Sequence, residues 1–244
     1  MKTALRNIEG GPRTSTVRHN LAGQRLGRKG QETRERILSA ALQLLEEPDG
    51  PPVTLSSVAR AASMRLTNLY LYFPDFGELL LAVLGRVMDD GDAAFMNQLK
   101  VRWPDDRLGE ATLAFISAHF GFWKRHARLL HLRNALSDSE PKILQYRQNA
   151  TRPIIEFLVK QMDGGDSENF SCTSLAVVAL TGFERIATVV TNPNFRFVAD
   201  DLQTESQEQM VEQLIAAEAR LLELAIRDRR AERRSEQSAS DPSG

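Results

Sequence analysis

Apolar residues in this chain recur every three or four positions and nowhere alternate over a sustained stretch, which predicts helices and no sheet. Ile37, Ala41, Leu44 and Leu45 form the buried stripe of a first helix over about 31–46, ended by Pro48-Asp49-Gly50-Pro51-Pro52. The same reading places helices at about 55–62, 66–72, 75–100, 107–125, 127–136, 140–162, 168–191 and 204–230. Trp103-Pro104-Asp105-Asp106, Asp163-Gly164-Gly165-Asp166 and Asn192-Pro193-Asn194 supply the clearest breaks. Residues 1–28 and 235–244 carry no sustained period and read as a disordered arm and a disordered tail.

The stretch from Thr54 to Leu81 is the most informative. Thr54 suits an N-cap, where its hydroxyl accepts an orphan backbone N–H, and Val58, Ala59 and Ala62 share one face of the helix that follows. Ala61-Ala62-Ser63-Met64 offers small residues where two helices must cross closely. Leu69 and Phe73, four apart, can pack on that face. Pro74 suits the opening turn of another helix. This is the plan of a helix-turn-helix, whose second helix enters the DNA major groove.

Leu69-Tyr70-Leu71-Tyr72-Phe73-Pro74-Asp75, the pair Leu79-Leu80 and the upstream Thr33-Arg34-x-x-Ile37-Leu38-x-Ala40-Ala41-x-x-Leu44-Leu45 resemble the DNA-binding domain of the TetR family of transcription regulators. The match covers about residues 31–81; the rest of the chain agrees in helicity and length. Departures are specific: Ser63 stands where the family has a turn Gly, Tyr72 where it has His, Thr67 where it has a small residue, and Phe76-Gly77 where it has Lys-Glu. That Lys commonly reaches a DNA phosphate in the family. The resemblance implies an all-α protein with a disordered basic arm (1–28), a helix-turn-helix domain (29–81), a helical effector-binding and dimerisation domain (82–234) and a short tail.

Charge adds to this picture through its distribution. The net charge of the 244-residue chain is −1, yet residues 1–36 hold nine Lys/Arg against three Glu, a local +6 that leaves −7 on the remainder. A basic arm on an acidic body is a common footprint of nucleic-acid contact. One Cys excludes an internal disulfide and a thiolate zinc site. The apolar run Leu79–Leu84 stops at Gly85-Arg86, well short of a membrane span, and the first residues show no secretory apolar core, so a cytoplasmic protein without membrane contact is expected.

On the expected recognition helix, Arg65 and Asn68 suit bidentate contacts to guanine and adenine edges, and Leu66 or Thr67 a thymine methyl. Tyr70, Tyr72 and Thr54 suit phosphates; Arg25, Arg28 and Lys29 suit the backbone or minor groove. By resemblance, the body holds a small-molecule pocket whose filling releases the DNA, so that the protein acts as a repressor on a near-palindromic operator. Pocket candidates are Phe115, His119, Phe122, Trp123, His126, Arg133, Tyr146 and Phe183, with an aromatic core cluster as the plain alternative. Their composition suits a hydrophobic or amphipathic effector. Arg185 suits either an anionic group on that effector or a pairing across the dimer, with Glu184 beside it.

Two further stripes bear on assembly. Leu175, Val178, Ala179, Gly182, Ile186 and Val189 form one; Met210, Leu214, Ala217, Leu221 and Leu224 form another, flanked by Val211, Ile215 and Leu222. Either they are internal core or, as the resemblance implies, residues 168–191 and 204–230 pair two copies into a four-helix bundle. Enzyme readings find little to stand on: no paired-carboxylate signature, no Gly-rich phosphate loop and no His-Glu-x-x-His occur. His119, His126 and His131 lack an acidic third metal ligand, and Cys172 at a helix start reads as structural, so neither metal nor cofactor is expected. A helical interaction protein, or an activator without effector-controlled release, is the other alternative.

Overall fold

The computed structural model describes residues 27–47, 50–89, 99–163, 170–192 and 204–240. Its helices are α1 (Arg28–Glu46), α2 (Leu55–Ala61), α3 (Leu66–Leu69), α4 (Phe76–Asp89), α5 (Leu108–Arg125), α6 (Ala127–Ser137), α7 (Pro141–Asp163), α8 (Phe170–Val190) and α9 (Thr204–Ser240), with a 3-10 turn at Asp105–Arg107. No strand occurs among the described residues. Arg25, with most of the basic arm, lies outside them, as do 90–98 of the expected 75–100 helix.

Three expected boundaries are corrected. Leu99 and Lys100 form a turn, so the fourth helix does not reach 100. α9 runs to Ser240, ten residues beyond the expected 230 and through the first part of the expected tail. α3 is one α-turn rather than the expected 66–72. Beyond Leu69 the N–H groups of Leu71 and Tyr72 bond to carbonyls three residues back, while Phe73 closes on Leu69 O at 3.0 Å. Pro74 supplies the reason, because the residue before a proline is pushed out of helical geometry and the final turn tightens.

The chain forms two compact units. The first comprises 1–91 and 128–150, the second 92–127 and 151–244, so α6 and the first part of α7 belong with the N-terminal helices. This partition differs from the expected division at 81/82. In the first unit α1 packs on α2 and α4, and α2 on α3. Ile37, Leu38, Ala41, Val58, Leu69, Phe73, Leu79, Leu80 and Leu84 fill its core, with Leu129, Leu130 and Ile143 from the later segment.

An arginine ties the two sequence segments of this unit together. Arg128 donates to Leu44 O at 2.7 Å, Gly50 O at 3.0 Å, Pro51 O at 2.8 Å and also to Glu47 O. These carbonyls include the C-terminal end of α1, which would otherwise lack partners, and a cation is favoured there by the helix dipole. Lys142 of α7 pairs with Glu78 of α4, and Arg86 of α4 with Glu35 of α1 at 2.9 Å.

In the second unit α9 packs along α5 and α8. Trp103, Phe115 and Phe157 form an aromatic nucleus with ring centroids 5.1–5.8 Å apart. Arg230 is buried yet satisfied: it donates to Gln161 O at 2.8 Å, Trp103 O at 3.0 Å and the Asp105 carboxylate. Those hydrogen bonds, with Arg234, hold the Asp105 carboxyl below its usual range. α8 is long and apolar enough to cross a membrane by length and composition alone, although Glu184 and Arg185 interrupt its apolar run. Here its Cys172, Ala176, Leu180, Phe183 and Ala187 are buried.

Candidate functional site

The segment of the first unit from α2 through the turn at Ser63 to α3 is built by local chemistry. Thr54 caps α2 in a closed box: its hydroxyl accepts from Ser57 N at 3.1 Å, and Ser57 Oγ accepts from Thr54 N at 2.9 Å. The C-terminus of α2 is closed by a paired motif in which Ser63 N bonds Arg60 O at 3.0 Å and Met64 N bonds Ala59 O at 2.9 Å. That motif needs a left-handed residue, and Ser63 supplies it at φ 54°. A serine held there costs about 1 kcal/mol over glycine.

Leu69 and Phe73 are buried and anchor the second helix to the first. Their anchoring turns the other side of the segment outward. Arg65, Thr67, Asn68, Tyr70 and Leu71 are exposed, and Leu66 and Tyr72 are half-buried. Arg65 is the N-cap residue of α3 and leaves its side chain free of any capping bond. Arg28 and Lys29, in the first turn of α1, are exposed; Arg28 lies 3.5 Å from Glu32. Thr54 is exposed with its hydroxyl engaged in the cap, so its end of α2 presents mainly backbone N–H groups.

Sequence reading missed Arg34 as a support for this surface. Its guanidinium lies over the Phe73 ring, 5.1 Å from the centroid, and burial pushes its pKa down from the usual arginine value. Asp75 Oδ1 accepts Glu78 N at 2.8 Å and starts α4, so Pro74 precedes the cap rather than opening the helix. At the position of the family's Lys-Glu pair, Phe76 is half-buried and Gly77 is buried; a Cβ on Gly77 would meet Asp75 at 3.3 Å and Glu140 at 3.4 Å.

The second unit holds a narrow cavity of about 10 Å³, room for a single water. Phe115, Ile116 and His119 of α5 line it with Leu158 of α7. Ala179, Leu180 and Phe183 of α8 and Glu218 and Leu222 of α9 complete the wall. His119 lies against Phe183, with ring centroids 4.6 Å apart.

The structure thus brings together three of the expected pocket residues, Phe115, His119 and Phe183, and separates the others. Trp123 is buried in the core outside the cavity lining. Phe122 and His126 are half-buried and meet in a tilted ring contact, centroids 4.9 Å apart. Arg133 and Tyr146 belong to the first unit, where Arg133 donates to Asn134 Oδ1 at 3.0 Å. Arg185 is exposed and takes no part in the lining. Its register, one heptad after Val178, follows the exposed rather than the buried face of α8. Glu218 was not anticipated, because it sits among the alanines beside the seam read from α9. No group of three or more metal-ligating side chains occurs among the described residues.

The two stripes read for assembly are not the main buried faces. Val178 is 69% exposed and Leu221 63%, with Leu224 and Val177 also exposed, whereas α9 packs into its own unit through Ala219, Leu222 and Ile226.

No protein-family model matches the chain, and no curated protein matches it. Among solved structures the fold is similar to the crystal structure of a TetR-family transcriptional regulator from Streptomyces coelicolor, at a TM-score of 0.52 and 21% identity over 84% of this chain and 90% of that one.

Proposed function

We propose that this chain is a cytoplasmic, ligand-responsive DNA-binding transcription regulator that represses from a near-palindromic operator. The observation that carries the reading is the anchored second helix of the helix-turn-helix. With Leu69 and Phe73 buried, Arg65, Thr67 and Asn68 form an outward polar row of the residue types that read base edges. Tyr70 and Tyr72 follow that row in sequence, and they and the exposed Arg28 and Lys29 of α1 suit phosphates. The Streptomyces coelicolor relative in fold, named a TetR-family transcriptional regulator, supports the same reading, and repression follows that family's habit.

The working unit is a homodimer paired through α8 and α9. Support comes from the exposed apolar residues Val177, Val178, Leu221 and Leu224: a helix apolar on more than one side requires more than one partner. Two copies related by a two-fold axis match two operator half-sites. The cavity of the second unit must widen to receive the effector, which releases DNA only by favouring one conformation over the other.

The test is binding of the purified protein to the intergenic DNA beside its own gene, against random DNA, across a salt series. Selective binding with a steep salt slope is expected, because each neutralised phosphate contributes a slope of about −0.9. Equal affinity for both DNAs at every salt concentration overturns the reading.

A further inference from the structure

We propose that Leu71 reads a thymine methyl group beside the base contacted by Asn68, and so helps to set which DNA the protein prefers. This inference rests on the DNA-reading function proposed above and deepens it: the apolar contact of the segment passes from Leu66 or Thr67 to a residue outside the expected set.

The buried side of the segment fixes the outward one. Leu69 and Phe73 are buried, and Leu66, three positions before Leu69, is half-buried. Helical hydrogen bonding continues beyond α3: Tyr70 N bonds Leu66 O at 3.2 Å and Phe73 N bonds Leu69 O at 3.0 Å. Successive side chains therefore advance by about 100° per residue. In that register Leu66, Leu69 and Phe73 share one narrow sector, and Leu71 falls almost directly opposite its centre. Thr67 and Asn68 stand on either side of Leu71, with Tyr70 and Tyr72 further round in the two directions. Exposure agrees, since Leu71 is 58% exposed against 42% for Tyr70. An aliphatic side chain thus occupies the middle of the outward face.

The turn sets the distance of Leu71 from Asn68. Leu71 N bonds Asn68 O at 3.2 Å, a three-residue turn in which the side chains at its two ends eclipse. Helical neighbours of this kind have Cβ atoms about 5–6 Å apart, which is between one and two base steps of about 3.4 Å. Asn68 suits the N6 and N7 edge of an adenine, and the apolar group that the major groove presents within that reach is the C5-methyl of thymine. Leu71 has no hydrogen-bonding group to offer a phosphate or a polar base edge. It gains by leaving water against an apolar partner, and the methyl is such a partner. Leu66 is less available for this contact, because half of its surface is already covered.

The experiment uses the DNA fragment beside the protein's own gene, amplified with dTTP or with dUTP, so that the second copy lacks every thymine methyl. Both copies, and a random fragment made in the same two ways, are titrated with the full chain by fluorescence anisotropy. The parent is expected to bind the methylated copy at least about fivefold tighter, as burial of a methyl at each half-site requires. Leu71→Ala, a surface change that should leave the melting temperature unaltered, is expected to bind both copies alike, near the parent's affinity for the uracil copy. Leu71→Met keeps an apolar reach and should keep the preference. A Leu71→Ala variant that retains the full preference overturns the proposal and assigns the methyl dependence to Thr67 or to DNA shape. Selective binding by a parent indifferent to the methyl groups sinks this inference alone. A parent that does not distinguish its fragment from random DNA sinks the regulator reading and this inference with it.

Discussion

The two units place their chemistry differently along the chain. The first gathers its outward polar row within one short window, from Thr54 to Tyr72, and holds it with contacts three to five residues long. The second assembles its cavity from four helices, drawing on residues from Phe115 to Leu222. A local device is visible in sequence because capping and turn residues have fixed offsets. A cavity is visible only once the faces of separate helices have been assigned, and a one-position error of face exchanges lining for surface.

The contrast has an exception, and breaking it gives the largest expected effect. The first unit also depends on a distant residue: Arg128→Ala removes charged hydrogen bonds to four carbonyls, each kind worth about 1.5–3 kcal/mol when buried. Partial exposure lowers the total, and a loss of about 2–4 kcal/mol is expected in a urea titration, with faster proteolysis between α1 and α2. Arg128→Lys should recover only part, since an ammonium lacks the planar fork. A variant as stable as the parent would mean that the unit is as local as its sequence motif.

Asn68→Ala tests the row itself. It should lose about 1–3 kcal/mol of discrimination between operator and random DNA, whereas Arg28→Ala should weaken both DNAs alike and lower the salt slope. Equal losses for the two variants on both DNAs would contradict the division into base-reading and backbone contacts.

Thr54→Ala opens the capping box and should cost about 1 kcal/mol, read as a shift in urea midpoint at constant slope. Ser63→Gly works in the opposite direction. It relieves the left-handed serine but loosens the unfolded chain, for a net gain below about 1 kcal/mol, or up to about 3 °C in melting temperature. A lower melting temperature would show that the Ser63 side chain contributes something its backbone does not.

The smallest effect falls in the second unit. Glu218 has a folded pKa raised by burial, so the folded state binds its proton more tightly than the unfolded one. At neutral pH the ionised carboxyl therefore opposes folding, and Glu218→Gln should raise the melting temperature slightly. The gain should fade as pH falls through the raised value and vanish below the ordinary 4.5. Asp105 and Glu223 run the other way: arginine hydrogen bonds depress both, so their contribution is present above their ordinary values of 3.8 and 4.5 and is lost as acid protonates them. A Gln variant less stable at pH 7 than its parent would show that Glu218 already has a compensating partner.

How much could be read in advance follows from the same contrast. Helix existence was legible throughout, because the apolar period and the Pro/Gly breaks agree. The Thr54 cap, the turn around Ser63 and the inward Leu69 and Phe73 were legible as well, since each depends on neighbours within a few residues. Arg34 over Phe73 and Arg128 on the α1 carbonyls were not, because nothing in either local sequence records a partner about forty or eighty positions away. In the cavity, the aromatic cluster around residues 115–126 was visible as a cluster, but its side chains divide between lining and core. Phe115 and His119 line the cavity, while Trp123, one turn further along α5, does not. Glu218 was hidden by its neighbours, since an acidic residue beside Ala216-Ala217 on a charged helix reads as solvated surface.

The anchorage of α1 by Arg128 also imposes an order on synthesis. The first unit is discontinuous, closing only when residues 128–150 are available. During translation at about 5–20 residues per second, residues 1–91 leave the ribosome several seconds before that segment. Through that interval the α1–α2 corner lacks its arginine and part of its apolar cover, and the outward polar row waits on chain not yet made. A truncated product ending before Arg128 would carry α1 to α4 without the arginine that holds the end of α1, so premature termination should yield a fragment cleared by proteases.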